Sequence, residues 1–436
     1  MAKPDRPHYP IALLSMSSLL QVFQSRKILA LLLLGFSSGL PLLLTSKTLQ
    51  AWMTVANVDL RDIGLFSLVA LPYSLKFLWS PLLDRFVPPF LGRRRGWLII
   101  AQVALVLAIG AMSLQDPSKN LELLAINALA IAFFSASQDI AFDAYRVDVL
   151  EEREAGAGAA ITVLGYRIAL LVTGALALIL ADRMPWTIVY LYLAGLMALS
   201  IGFTLWAPEP ERRVRPPESL AEAVKLPFLE FFQRSGVLRG SVILVFVVLY
   251  KFGDGLVNNM ATPFLLQTGF SQTDIGQIQG GMGLLATIVG ALTGGAVLSR
   301  IGINRSLWIF GALQALSNLA YLALAQVGQN YSLMVLTINI ENFCAGLVTA
   351  AFVAFLMSCC NPSFSATQFA LLSSLMAVSR DILVAPAGQI AKVTGWAPFF
   401  LLSLVAALPG LLLLPICAPW KSPVPALSRP GLEDSE

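Results

Sequence analysis

Phe252-Gly253-Asp254-Gly255-Leu256 places a carboxylate inside an apolar run, and the same frame, without the acid, stands at Phe36-Ser37-Ser38-Gly39-Leu40. A second echo follows each copy: Asp62-Ile63-Gly64 after the first and Asp274-Ile275-Gly276 after the second. A third joins Asp84-Arg85 and Gly92-Arg93-Arg94-Arg95 to Arg300-Ile301-Gly302 and Arg305. The offsets between copies agree to within about one helical turn. Three matches in the same order predict two copies of one unit.

Working outward, the runs that carry these echoes are long and apolar. The chain of 436 residues is 57% hydrophobic and only 12% charged, where soluble domains carry about 25%. Lipid must therefore be the solvent for most of it. A bilayer core about 30 Å thick needs roughly 20 apolar residues per helix. Twelve such stretches are read at 28–46, 63–83, 97–115, 121–147, 158–181, 186–206, 240–262, 274–299, 306–326, 331–358, 366–391 and 396–417. Continuous runs exclude the short alternating strands of a membrane β-barrel. The predicted fold is an all-α membrane protein, with twelve transmembrane helices in two pseudo-symmetric six-helix bundles.

The expected organisation is a cytoplasmic N-terminal segment over 1–27 with an interfacial helix, a first bundle at 28–206, a cytoplasmic linker at 207–239, a second bundle at 240–417 and a cytoplasmic tail at 418–436. Serines interrupt the moderately apolar 11–20 stretch, and no small-residue cleavage site marks it as a cleaved signal. Basic residues set the orientation. Lys3, Arg6, Arg26 and Lys27, then Arg85 and Arg93 to Arg95, then six in the linker, then Arg300 and Arg305, all fall on one side of a twelve-span chain. The opposite loops hold Arg61, Lys119, Arg183 and Lys392. Both termini are predicted to be cytoplasmic.

An ionisable residue in a span is a functional hypothesis by default, because a charge in hydrocarbon is costly. The fourth span carries Ser135, Asp139, Asp143 and Arg146 at helical spacing; the seventh carries Lys251, Asp254, Asn258 and Thr262. Thr337, Glu341 and Asn342 lie in the tenth, and Ser37, Ser38, Gly39 and Thr45 in the first. Spans one, four, seven and ten are equivalent in a repeated three-helix pattern, so one polar cavity is expected. Asp139, Asp143, Asp254 and Glu341 are the candidate proton carriers. The only histidine, His8, is outside the spans. Candidate substrate contacts are Ser38, Gly39, Tyr73, Lys76, Gln138, Arg146, Tyr166, Arg167, Tyr250, Lys251, Asn258, Asn342 and Arg380. The competing bland reading is internal salt bridging that only holds helices together. For Trp52 and Trp79 the favoured reading is anchoring at the membrane interface. Gly276/Gly280 and Gly290/Gly294 have the small-xxx-small spacing of close helix packing.

Cys344, Cys359, Cys360 and Cys417 lie in or beside apolar runs without metal-ligand spacing. There is no GxxxxGK[ST] loop, no serine elbow and no metal cluster, so an enzyme or an ATP-driven pump is not expected. No metal or cofactor is called for.

Asp84, Arg85, Gly92, Arg93, Arg94 and Arg95 resemble the conformational-switch loop of the major facilitator superfamily, lengthened by an insertion from Phe86 to Leu91. The stretches GFSSGLPLLLTSKTLQAWM at 35–53, FLWSPLLDRFVPPFLGRRRGW at 77–97, SASQDIAFDAYRVD at 135–148, GAGAAITVLGYR at 156–167 and NPSFSATQFALL at 361–372 are similar to the AmpG muropeptide permease family. The resemblance runs through both halves and includes the insertion. Some members carry two further C-terminal helices; this chain is read as ending after the twelfth. The resemblance implies import of N-acetylglucosaminyl-1,6-anhydro-N-acetylmuramyl peptides across the bacterial inner membrane, driven by protons. It also implies a place in peptidoglycan recycling and, in some bacteria, in β-lactamase induction. Implied partners are the muropeptide, protons and the bilayer, with no nucleic acid and no obligate protein partner. The rival readings are a related carrier of acetyl-coenzyme A or a drug, and a non-transporting membrane sensor.

Overall fold

In the computed structural model, residues 25–89, 91–150, 155–209, 229–360 and 365–420 are described. The expected interfacial helix, most of the linker and the tail from 421 lie outside them. Among the described residues, eleven helices are long and apolar enough to cross a membrane: Arg26–Val55, Arg93–Met112, Leu121–Arg146, Ile161–Ala181, Trp186–Trp206, Val237–Gln267, Gln272–Ile301, Ile303–Val327, Tyr331–Ser358, Leu371–Thr394 and Trp396–Cys417. The remaining expected span, the second, is helical but broken. Short α turns at Leu60–Leu65, Leu71–Leu75 and Ser80–Arg85 alternate with 3₁₀ turns at Phe66–Ala70 and Lys76–Leu78. Pro72 and Pro81 lack the amide proton that a continuous helix needs. Counting this segment, twelve spans are numbered in chain order.

The first span bends where the sequence reading ended it. Its helix stops at Leu44, Thr45 and Ser46 form a turn, and a second helix runs from Lys47 to Val55. One long span thus carries a lysine at its bend.

Helix association in lipid depends on close packing more than on hydrophobic burial. Spans one and five meet where a Cβ on Gly165 would stand 2.1 Å from the Leu32 carbonyl oxygen; spans eight and ten meet where one on Gly290 would stand 2.1 Å from that of Phe343. Aromatic clusters fix the ends of both halves. Trp52 stacks on Trp186 at 5.8 Å, beside Tyr190, and Phe264 packs against Trp396 and Phe400. Each such pair contributes about 0.5–1.5 kcal/mol beyond burial. Trp52 is buried, so the interfacial-anchor reading does not hold for it. Its ring faces aromatic partners on the sixth span.

At the end bearing the basic loops, each half ties its third helix to its sixth. Arg95 donates to the carbonyls of Thr204 and Leu205 at the close of span six. Correspondingly, Asn304 and Trp308 of span nine donate to Pro419 and Ala418 at the close of span twelve. Arg94 pairs with Asp148 of span four at 2.7 Å, both largely buried. Arg94 and Arg95 are thus tied to spans four and six. The side chains of Asp84 and Arg85 are outside the described residues.

The two halves meet at the opposite end. Gly388 of span eleven lies so close to span two that a Cβ would stand 1.7 Å from the Leu60 carbonyl oxygen. Asp59 pairs with Lys392 there. Across the other seam, Gly276 and Gly280 of span eight pack on the backbone of Ala175 in span five, and the Thr273 amide donates to Asp182 at 2.9 Å. The repeated Asp-Ile-Gly motif therefore supplies, in both copies, the glycine at which one half touches the other. Irregular backbone faces irregular backbone at both seams. The π-helical turn Leu171–Leu176 packs on the π-helical turn Gly276–Met282, and the 3₁₀ turn Phe66–Ala70 on the π-helical turn Ser379–Leu383.

Candidate functional site

The polar stripes read from the sequence converge between the halves. In the first half a hydrogen-bonded chain crosses four spans. Thr204 donates to Gln102 at 2.8 Å, and Gln102 and Gln138 both donate to the Ser37 hydroxyl, at 3.1 and 3.2 Å. Ser38 donates to Asp139 at 2.5 Å. Tyr73 and Tyr166 lie within electrostatic range of Asp139. One turn along span four, Asp143 is shared between Lys76 at 3.9 Å and Arg146 at 3.4 Å. Its side chain is 54% exposed.

The second half encloses its acids. Asp254 accepts from Gln314 at 2.7 Å and lies 3.9 Å from the Lys251 ammonium. Glu341 is 4% exposed and accepts from two amides, Asn258 at 3.1 Å and Asn342 at 2.8 Å. Asn342 is held in turn by Thr287 and by the Ile338 carbonyl. Lys251 also donates to Thr349 at 3.3 Å. Lys47, from the bend in span one, reaches across and donates to the Asn258 carbonyl, within electrostatic range of Glu341 and Asp254.

Arg380 joins the halves from span eleven. Its guanidinium makes two bonds to Asp381, at 2.7 and 3.1 Å, and Asp381 accepts from Ser74 of span two at 2.7 Å. The Arg380 side chain is nevertheless 60% exposed. Tyr166 stands close enough to both Arg167 and Arg380 to feel their charges. Arg167 makes no hydrogen bond or ion pair among the described residues. Charges this exposed in mid-span cannot face hydrocarbon. By that argument they face the space between the halves rather than lipid. Arg380 at 60% and Asp143 at 54% are the most exposed of these charges, Lys76 and Arg146 are half-buried, and Asp254, Glu341 and Asp381 are withdrawn. Low-dielectric walls of one sign concentrate oppositely charged solutes.

Several candidates are enclosed by their neighbours, and Tyr250 borders a small cavity with Lys251, Asp254 and Gln314. Tyr250 is buried against Phe246 and Phe352, and its hydroxyl donates to the Leu307 carbonyl. Gln138 is also buried, and Gly39 packs on span five at Tyr166. Trp79 donates to Ser137 and packs on Phe133. Sequence reading missed Lys47, Gln102 and Gln314. The signal for Lys47 was available: Leu49 to Met53 continue the apolar run beyond it, which puts a lysine inside the span.

Two bundles of six helices around a central polar cavity define a secondary transporter. The Major Facilitator Superfamily pattern matches residues 28–382. Among solved structures, a nucleoside transporter superimposes with a TM-score of 0.70 over 91% of this chain and 99% of the other, at 17% identity. A D-xylose–proton symporter does so with a TM-score of 0.66 over 89% and 96%, at 12% identity. Within that superfamily the chain belongs to the AmpG muropeptide permease family. It is 50% identical to the anhydromuropeptide permease of Escherichia coli strain K12, over 92% of this chain and 82% of that one. It is 34% identical to the Rickettsia felis transporter AmpG 4, over 90% and 97% respectively. The chain is thus a multi-pass membrane transporter and not an enzyme.

Proposed function

We propose that this transporter imports N-acetylglucosaminyl-1,6-anhydro-N-acetylmuramyl peptides from periplasm to cytoplasm, across the bacterial inner membrane, by proton symport with alternating access. The observation that carries the cargo reading is a group of cations: the exposed Arg380 and the half-buried Lys76, Arg146 and Arg167. Such peptides bring several carboxylates, and guanidinium groups bind carboxylates with directional, charge-assisted bonds. Tyr73 and Tyr166 stand beside these cations to pack on sugar rings. The half-identical relative is itself named an anhydromuropeptide permease.

In this reading the basic end is cytoplasmic, with both termini on that side, and the conformation described is open inward. The bundles 28–206 and 240–417 rock about the seams, and the linker 207–239 stays in the cytoplasm. The test is uptake of labelled anhydromuropeptide into proteoliposomes under an inward proton gradient. Accumulation that the gradient collapses with an uncoupler is the expected result. Accumulation of acetyl-coenzyme A or a drug in its place, or of no solute at all, would overturn the cargo or the transport reading respectively.

A further inference from the structure

We infer that Lys47 is a mobile counter-charge, carried by the first half, whose arrival beside Glu341 and Asp254 expels the coupling proton into the cytoplasm. The inference rests on the transport reading above and adds to it the group that links proton binding to the movement of the halves.

Lys47 belongs to one half and its partners to the other. The bend at Thr45 and Ser46 aims it at span seven, where its ammonium donates to the Asn258 carbonyl. The same Asn258 donates through its side chain to Glu341. Both Glu341 oxygens are engaged by amides, which offer dipoles and no positive charge. The charged and titratable groups facing this acid are Lys47 from span one, Lys251 and Asp254 from span seven, Tyr321 from span nine and Cys344 from its own span ten. Two carboxylates therefore face two ammonium groups. Lys251 is the N-cap of the Phe252–Gln267 helix that carries Asp254, and Glu341 lies in the same half, so it stays with the acids in every state. Lys47 does not.

Outward opening requires the seams at Gly388 and Gly276 to part. The first half then withdraws with Lys47, leaving two buried carboxylates with one cation. A surplus negative charge in a low-dielectric site is costly, and it is removed by taking a proton. Glu341 gains that proton from water on the periplasmic side. On inward closure the ammonium returns, the carboxyl O–H releases its proton to water in the cytoplasm-facing cavity, and the charge count balances again. The proton is thus bound outside and freed inside, as symport with import demands.

The test uses purified transporter in proteoliposomes with labelled anhydromuropeptide. Lys47→Gln should lose gradient-driven accumulation, which for one proton per cargo is roughly tenfold per pH unit, while counterflow exchange persists. Lys47→Arg should keep accumulation. Retained accumulation in Lys47→Gln would overturn the inference, as would loss of counterflow together with accumulation in a folded variant. If Lys47→Gln does not fold, Lys47→Met takes its place, with the same expected and overturning outcomes. A second readout needs no cargo. Asp59→Cys and Lys392→Cys, in a background lacking Cys344, Cys359, Cys360 and Cys417, report closure of the periplasmic end through cross-linking. Acidification should lower the cross-linked yield, and Lys47→Gln should flatten that response. An unchanged acid response in Lys47→Gln would overturn the inference even if the cargo reading had failed.

Discussion

The fourth and tenth spans occupy equivalent places in the two halves, yet they hold their acids in opposite ways. Asp143 on span four stands 54% exposed between Lys76 and Arg146. Glu341 on span ten is enclosed, with amides on both oxygens and its nearest mobile cation supplied by the other half. Span-one and span-seven neighbours follow suit. Ser38 is the neutral donor to Asp139, whereas its counterpart in the repeat, Asp254, is itself an acid. An exposed ion pair exchanges readily with water and with a charged solute. A buried carboxylate responds to each neighbouring charge more strongly, because the local dielectric is low. Duplication thus supplied two similar frames that enclose Asp143 and Glu341 to different degrees, and under the transport proposal Asp143 would meet cargo while Glu341 would answer to the state of the halves.

The largest expected effect separates these roles directly. Glu341→Gln should abolish uphill uptake and leave exchange, while Asp143→Asn should keep uphill uptake with weakened cargo affinity. Equal loss of accumulation in both variants, measured in the same vesicles, would erase the distinction. Next comes closure itself. Gly388→Val inserts side-chain atoms where even a Cβ would overlap the Leu60 carbonyl. Overpacking of this kind costs about 1–3 kcal/mol, charged here only to the closed periplasmic end. Transport should collapse, with periplasmic accessibility of engineered cysteines near Asn57 rising.

A smaller effect is expected at the cations proposed to meet cargo. Charge-assisted hydrogen bonds contribute about 1.5–3 kcal/mol, so Arg167→Gln and Arg380→Gln should each raise the KM for muropeptide by roughly ten- to hundredfold. The proton dependence should not move. A shifted pH profile in Arg167→Gln would place this residue with the coupling group instead. The smallest effect belongs to Lys392→Gln. The Lys392 ammonium, followed by the Arg61 amide, holds the Asp59 carboxyl below the ordinary aspartate range. A lowered value means that the pair's contribution is present above the ordinary aspartate pKa and is lost as pH falls through the lowered one. Between about pH 5 and 8 it is constant. Exposed pairs contribute about 0–1 kcal/mol, so Lys392→Gln should change the rate slightly and leave the pH midpoint of uptake in place.

Much of this arrangement was legible in the residues. Long apolar runs specify spans because a helix is the simplest structure that satisfies its backbone in lipid, and the repeat gave the two-copy organisation, though not that Gly64 and Gly276 stand at the seams. The polar stripes on spans four, seven and ten led to the cavity. Three features did not show. The broken second span hides because prolines in a membrane helix do not by themselves forecast where 3₁₀ turns fall. Tyr250 reads as a cavity aromatic and does border a small cavity with Lys251 and Asp254, but its packing on Phe352 and its bond to the Leu307 carbonyl did not show in the sequence. Lys47 was passed over because a lysine after an apolar run looks like the end of a span; only the bend at Ser46 turns it inward.

The π-helical turns at the seams carry one further consequence. A π turn holds one residue more than the α-helix around it needs, and it leaves a carbonyl short of its usual partner. At both seams such a turn lies against another irregular turn. If the halves rock as proposed, the surfaces that separate and rejoin are irregular stretches of their helices rather than rigid ridges in grooves. Sliding there can be absorbed by migration of the spare residue along the helix. The aromatic and glycine-packed cores of each half need not loosen, and the cycle's mechanical wear is confined to backbone that was never fully engaged.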